Sequence, residues 1–96
     1  MSRRHYLVTY DISDDKRRTN VFKCLEGNGD HVQFSVFICE LNRRELMTLR
    51  SELTDGLHHV QDQILILDLG PAHNPLESSL EALGRAYQPV VRTKIV

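Results

Sequence analysis

Tyr6-Leu7-Val8-Thr9-Tyr10-Asp11-Ile12 is followed at once by Ser13-Asp14-Asp15-Lys16-Arg17-Arg18. The first stretch is rich in β-branched and aromatic residues and reads as a strand. In the second, Ser13 offers a helix N-cap, and Asp14 and Asp15 place negative charge in the first turn, where the helix dipole favours it. Val21, Phe22 and Leu25 then form an apolar stripe at helical spacing, with Cys24 beside it. Gly27-Asn28-Gly29 stops this helix. A strand running directly into a helix is the first half of a crossover unit.

His31 to Leu41 is a second β region, which fits one long bent strand or two short strands broken near Ser35. Asn42 caps a second helix, and Glu45, three residues on, completes a capping box with Asn in place of Ser or Thr. Leu46, Leu49, Leu53 and Leu57 recur at helical spacing and mark its buried face, with Gly56 near the stop. Gln63 to Leu69 is apolar on both faces, which predicts a central strand ended by Gly70-Pro71. Leu76 to Leu83 can form a short helix, and Val90 to Val96 has the character of a terminal strand.

The order predicts an α+β domain: a ferredoxin-like βαββαβ sandwich with an additional C-terminal strand. Residues 1–96 make a single domain, with 71–96 as a tail. Both helices lie on one face of the sheet and leave the other open. A chain of this length buries only about two-thirds of its unfolded surface, and an open apolar sheet face asks for a partner.

Composition narrows the function classes. The chain is 41% hydrophobic and 26% charged, ordinary for a soluble globular protein. There is no run of ~18 apolar residues to span a membrane, and Met1 to His5 lacks a signal-peptide core, so a cytoplasmic location is expected. Cys24 and Cys39 form no metal-binding pattern, since a zinc site needs four clustered ligands, and both read as buried small hydrophobes. The net charge of −1 argues against bulk attraction to nucleic acid. Basic residues are nonetheless clustered, as Arg3-Arg4, Lys16-Arg17-Arg18 and Arg43-Arg44, so phosphate contacts are local.

Asp11 is the leading candidate for chemistry. A carboxylate between Tyr10 and Ile12 at a strand end serves either a turn or a site. Arg18, three and four residues before Val21 and Phe22, falls on the sheet-facing side of its helix, where it could share a cleft with Asp11. A carboxylate, a helix N-terminus and a guanidinium together suit a phosphate and a divalent cation. One carboxylate is too few for a metal nuclease, but a two-fold dimer brings a residue near the axis onto its own copy. Two facing carboxylates repel unless a cation sits between them. Mg²⁺ suits such a site because it retains several waters.

The other polar residues have plainer readings. Asp14 and Asp15 are helix-start charges and His58-His59 a solvated loop, while His31, beside Asp30, could serve as a general acid/base or phosphate contact, although a lone His at a strand start is usually structural. Asp68, in an apolar strand, is expected to be buried, with a hydrogen-bonded structural role set at least level with catalysis. Arg43-Arg44, unfavourable at a helix start, are surface residues or phosphate contacts. Base stacking is not expected, because with three Phe and three Tyr the exposed aromatic pairs it requires are missing.

The segment 6–18, the run Gly29-Asp30 followed by Val32-Gln33-Phe34-Ser35-Val36-Phe37, and Leu41-Asn42-Arg43-Arg44-Glu45-Leu46 resemble CRISPR-associated protein two, the small protein of the spacer-acquisition module. The resemblance extends to about residue 70. It implies a ferredoxin-like homodimer whose two Asp11 carboxylates share Mg²⁺ or another divalent cation such as Mn²⁺. It implies that the C-terminal strand crosses to the partner. It also implies an endonuclease acting on RNA or duplex DNA, and a role beside the Cas-one integrase in which catalysis is not always required. Tyr10, Asp11, Arg18, Ser35 and Phe37 match positions that the family uses around its cleft. Asn20 and His31 stand where some members carry Arg. A non-catalytic DNA-binding scaffold is the alternative, and for either role the candidate nucleic-acid contacts are Arg3, Arg4, Lys16, Arg17, Arg43 and Arg44.

Overall fold

A computed structural model describes residues 2–88 of the chain. The elements run β1 (Arg4–Asp11), α1 (Asp15–Glu26), β2 (Asp30–Gln33), β3 (Val36–Leu41), α2 (Arg43–Gly56) and β4 (Gln63–Pro71), with a short 3-10 turn at Leu76–Ser78. The sheet order is β2-β3-β1-β4, and every neighbouring pair is antiparallel. This is the ferredoxin-like arrangement expected. The expected terminal strand at 90–96 lies outside the described residues.

Strand alternation builds the core. Tyr6, Val8 and Tyr10 of β1, with Phe37, Cys39 and Leu41 of β3, face Val21 and Leu25 of α1 and Leu49 and Leu53 of α2. Phe37, Leu25, Leu49, Val8 and Cys39 are fully buried. Burying a large apolar side chain contributes about 1.5–3 kcal/mol, so this single layer carries most of the stability of a chain this short. Both helices therefore cover one face of the sheet.

The His31–Leu41 region is two strands. Gln33 pairs with Val36 across the turn Phe34-Ser35, and a register shift between His31 and Gln33 leaves one extra residue on β2. No non-glycine residue described here has positive φ. The turn is thus not the mirror-image type that usually closes two-residue hairpins, and the bulge supplies the missing twist.

Several boundaries differ from expectation. Asp14, not Ser13, caps α1: its carboxylate accepts the Arg17 backbone N–H at 2.9 Å. The Asn42–Glu45 capping box is present, with both reciprocal bonds at 2.9 Å. Leu57 leaves the α2 stripe because the chain turns extended there, and it is only half-buried. Only three residues of 76–83 turn helically, because Leu83 is 86% exposed and no continuous apolar face can form.

The largest difference is β4, expected to be central and found at the sheet edge. Ile64 and Ile66 pack on the core, but Leu65 and Leu67 are about half exposed on the other face. None of the described residues covers Leu65 and Leu67 on that second apolar face. The strand also continues past Leu69: the pairing shifts between His5 and Tyr6, and Gly70 takes φ +105°, which a side chain rarely adopts. Beyond β4, Leu76 and Tyr87 return near His5, Ile38 and Glu40. Ile38 lies on the face opposite the helices yet is 7% exposed, so this return covers the β2–β3 half and leaves the β1–β4 half open.

Candidate active site

Asp11 is the last residue of β1. Because Tyr6, Val8 and Tyr10 face the helices, Leu7, Thr9 and Asp11 lie on the open face. There Leu7 stands opposite Leu67, Thr9 opposite Leu65 and Asp11 opposite Gln63. The Asp11 residue is exposed, and its carboxylate has no hydrogen-bond or ion-pair partner among the described residues. An apolar strip thus leads along the open face to an unpaired carboxylate.

The remaining cleft candidates gather on the other side. Tyr10 is buried, and its hydroxyl lies 3.5 Å from the Phe34 carbonyl. Burial raises its pKa, partly opposed by the nearby Arg18. A terminal nitrogen of Arg18 donates to the carbonyls of Ile12 at 3.1 Å and Ser13 at 3.0 Å, and the other pairs with Asp15. Arg18 therefore braces the loop that follows Asp11 without pairing with Asp11 itself. The Ser35 carbonyl accepts the Tyr10 N–H at 3.1 Å. Phe37 is fully buried at the centre of a ring cluster, 4.8 Å from His31 and 5.4 Å from Phe22 between centroids, so it packs rather than presents.

Tyr10, Arg18 and Ser35 line a cavity of about 270 Å³ together with Thr19, Phe22, His31 and Phe34. Asp11 is not in that lining. Adjacent residues of a strand point to opposite faces, so Tyr10 and Asp11 do not share one cleft.

Of the six basic residues expected to contact nucleic acid, three are engaged within the chain. Arg3 bonds Glu40 at 2.9 Å and Glu45 at 2.7 Å, and Arg4 bonds Asp68 at 2.9 Å. Arg17 bonds Asp62 at 2.8 Å. Lys16, Arg43 and Arg44 are exposed and form no ion pair among the described residues. Asp68, expected to be buried, is exposed on the edge strand, and the Gly70 N–H and Arg4 lower its pKa.

The buried carboxylate is instead Asp62, which sequence reading missed. Nothing in Val60-Gln61-Asp62-Gln63 distinguishes it, because its partner is Arg17. His58, read as part of a solvated loop, is exposed but caps its turn: Nδ1 accepts the N–H groups of Val60 at 3.2 Å and Gln61 at 3.1 Å. His31 makes structural contacts: Nε2 bonds the Phe34 carbonyl at 3.0 Å while the ring stacks on Phe37. Cys39 is buried as expected, but Cys24 is only partly so and donates to Glu52 at 3.2 Å.

No group of three or more His, Cys, Asp or Glu side chains among the described residues is placed to hold a metal. Among the described residues Asp11 is the one carboxylate on the sheet without a partner; Glu26, Asp55, Glu77 and Glu81 also lack one but lie off the sheet. No helix among the described residues is long and apolar enough to cross a membrane.

Fold and site define a small ferredoxin-like α+β domain with a strand-end carboxylate on its uncovered sheet face. Residues 4–74 match the family of CRISPR associated protein Cas2, and the chain belongs to that family. It is 34% identical over 91 residues to the CRISPR-associated endoribonuclease Cas2 of Geobacter sulfurreducens, covering 95% of each chain. It is 37% identical over 92 residues to the CRISPR-associated endonuclease Cas2 2 of Thermus thermophilus, covering 96% of this chain and 94% of that one. The crystal structure of Streptococcus pyogenes Cas2 superposes with a TM-score of 0.73 at 32% identity, covering 83% of this chain and 99% of that one.

Proposed function

We propose that this protein is a homodimeric, divalent-metal-dependent endonuclease of CRISPR spacer acquisition, acting on RNA or DNA beside the Cas-one integrase. The observation that carries this reading is the Asp11 carboxylate, exposed and unpartnered at the end of an apolar open face. Among the described residues Glu26, Asp55, Glu77 and Glu81 also lack partners, but they lie off the sheet, whereas Asp11 ends a strand beside the exposed Leu65 and Leu67.

The same face supports the dimer. Leu65 and Leu67 are about half exposed on it, so a second copy would remove apolar surface from water. A two-fold axis near the end of β1 would bring two Asp11 side chains together. That donor set fits Mg²⁺ or Mn²⁺, hard cations that one or two carboxylates and waters satisfy. When bound, such a cation supplies positive charge to a phosphodiester. Asp11 holds it, and Arg18 keeps the adjoining loop in place through the Ile12 and Ser13 carbonyls.

The names of the relatives support cleavage of nucleic acid, as endoribonuclease for one and endonuclease for the other. The test is wild type beside Asp11→Ala on single-stranded RNA and duplex DNA, with Mg²⁺, with Mn²⁺ and with chelator. Metal-dependent cleavage that drops at least about a hundredfold in Asp11→Ala is expected, since one interaction of this kind is worth a few kcal/mol in the transition state. Equal cleavage by the variant overturns the reading.

One observation favours a second reading, a non-catalytic scaffold for duplex DNA. Lys16, Arg43 and Arg44 are exposed and form no ion pair among the described residues, and phosphate contacts position a duplex without reading its sequence. Binding of duplex DNA and of the integrase that survives Asp11→Ala, in the absence of any cleavage, would favour this reading.

A further inference from the structure

We propose that the cavity beneath the β2–β3 turn is a stacking subsite for one unpaired nucleobase, with Phe34 as its platform. This rests on the reading of the protein as nucleic-acid binding and deepens it.

Phe34 is the most exposed of the large apolar side chains among the described residues, at 94%. Its backbone is not free to fold the ring away. The Phe34 carbonyl accepts a bond from His31 Nε2 at 3.0 Å, with the Tyr10 hydroxyl at 3.5 Å, and the next carbonyl, of Ser35, accepts the Tyr10 N–H. A wholly exposed phenylalanine on a turn bonded this firmly to the core is a presented surface, not a frayed tip.

The cavity it borders is aromatic below and polar at the rim. Phe22 meets His31 edge-on with centroids 5.1 Å apart, and His31 lies stacked on Phe37. Arg18, whose side chain is 43% exposed, stands at the mouth with the hydroxyl residues Thr19 and Ser35. At about 270 Å³ the space falls just below the roughly 300–1,000 Å³ of drug-sized pockets, so it takes one ring system rather than a longer ligand. Flat aromatic surface flanked by a guanidinium and hydroxyls matches a base, which offers a π-face to stack and edges to hydrogen-bond. No carboxylate lines the cavity to repel the attached phosphates, although Asp15 outside it shares Arg18. Base-paired duplex cannot enter, because its bases are already stacked.

The test measures binding of fluorescein-labelled oligonucleotides of one length to the full-length protein. The probes are a single strand, a blunt duplex and a single strand of abasic sites; the proteins are wild type, Phe34→Ala and Phe34→Trp. Phe34→Ala should bind the single strand roughly 5- to 150-fold more weakly, the span of one base–aromatic stack, with duplex binding unchanged. Phe34→Trp should bind the single strand as wild type does. Because the chain contains no tryptophan, the Trp fluorescence of that variant reports the site alone and should be quenched by the single strand but not by the abasic strand. Wild-type binding of the single strand that Phe34→Ala leaves intact overturns the subsite alone, and points instead to a protein partner for this turn. Equal losses on single strand and duplex also overturn it. Wild type that binds none of the probes overturns the nucleic-acid reading and the subsite together.

Discussion

Arg17 grips Asp62 at two points, Nε to Oδ2 at 2.8 Å and a terminal nitrogen to Oδ1 at 3.2 Å, with the Asp62 side chain wholly shielded from water. The His58 N–H adds a third bond to Oδ2 at 2.8 Å. The pair joins the first turns of α1 to the loop before β4, 45 residues away. Gln63, the next residue, stands opposite Asp11, so this clamp fixes the backbone on both sides of the candidate carboxylate. A buried ion pair adds little over a well-packed apolar one, but breaking it leaves a charge with neither water nor partner.

Acid should release this clamp. The hydrogen bond from Arg17 holds the Asp62 carboxyl below its ordinary range, with the His58 N–H adding to the effect. Its stabilisation is therefore complete above the unfolded-state pKa of about 3.9 and fades as pH falls through the lowered value. Melting temperatures of wild type and Asp62→Asn, followed by circular dichroism from pH 7 to pH 2.5, should differ most at neutral pH and converge in acid. Parallel curves would mean that Asp62 does not carry the pH dependence.

Glycine substitutions should separate two roles that look alike in sequence. A Cβ on Gly29 would stand 2.5 Å from Cys39 Sγ and 2.6 Å from the Ile38 carbonyl, and the carbonyl is backbone that cannot step aside. On Gly27 it would meet nothing nearer than 3.6 Å, at a φ of −74° that any residue adopts. Gly29→Ala should cost about 1–3 kcal/mol in urea denaturation, as overpacking does, and Gly27→Ala should stay within about 1 kcal/mol of wild type. Similar losses for both would reject the close-approach account.

The two cysteines should resist alkylation in the folded protein. Burial, together with Glu52, pushes the Cys24 thiol up to about 12, and burial, together with Asp30, pushes Cys39 up to about 11. At pH 8 a thiol of pKa 12 is ionised to about one part in ten thousand, against about a quarter for an unperturbed one. Iodoacetamide labelling followed by mass spectrometry should be far slower in buffer than in 8 M urea. Fast labelling of Cys24 in buffer would show that its contact with Glu52 does not persist.

A charge on the open face should dissociate the proposed dimer without unfolding the protomer. Leu65 and Leu67 are about half exposed within one chain, so Leu67→Glu removes little intramolecular packing and should change protomer stability by about 0.5 kcal/mol. Facing its own copy, it would bury two like charges. Light scattering after gel filtration should give a dimer for wild type and a monomer of about 11 kDa for the variant. A variant that elutes as wild type would place any pairing surface elsewhere.

How much of this was legible before folding differs by residue. The Asn42–Glu45 capping box, the α1 and α2 stripes and the βα start at Tyr6 rest on contacts a few residues apart, and local chemistry is written locally. The family resemblance was legible for the same reason, in Tyr10-Asp11-Ile12 and Ser35-Val36-Phe37. The place of β4 was not, because a doubly apolar strand reads alike whether its second face meets a helix or waits for another molecule. Asp62 was invisible because its partner lies 45 residues back. Phe34, one of too few aromatics to suggest stacking, became notable only once the turn held it clear of the core.

By itself, then, the sequence determined the order of elements, the helix start at Asn42 and the placing of a carboxylate at a strand end at position 11. Only the tertiary structure decided which face that carboxylate occupies, which arginines are already engaged and which aromatic is left in solvent. Those outcomes depend on strand register and on pairs far apart in the chain. Periodicity shows that a residue has a side; packing determines what that side meets.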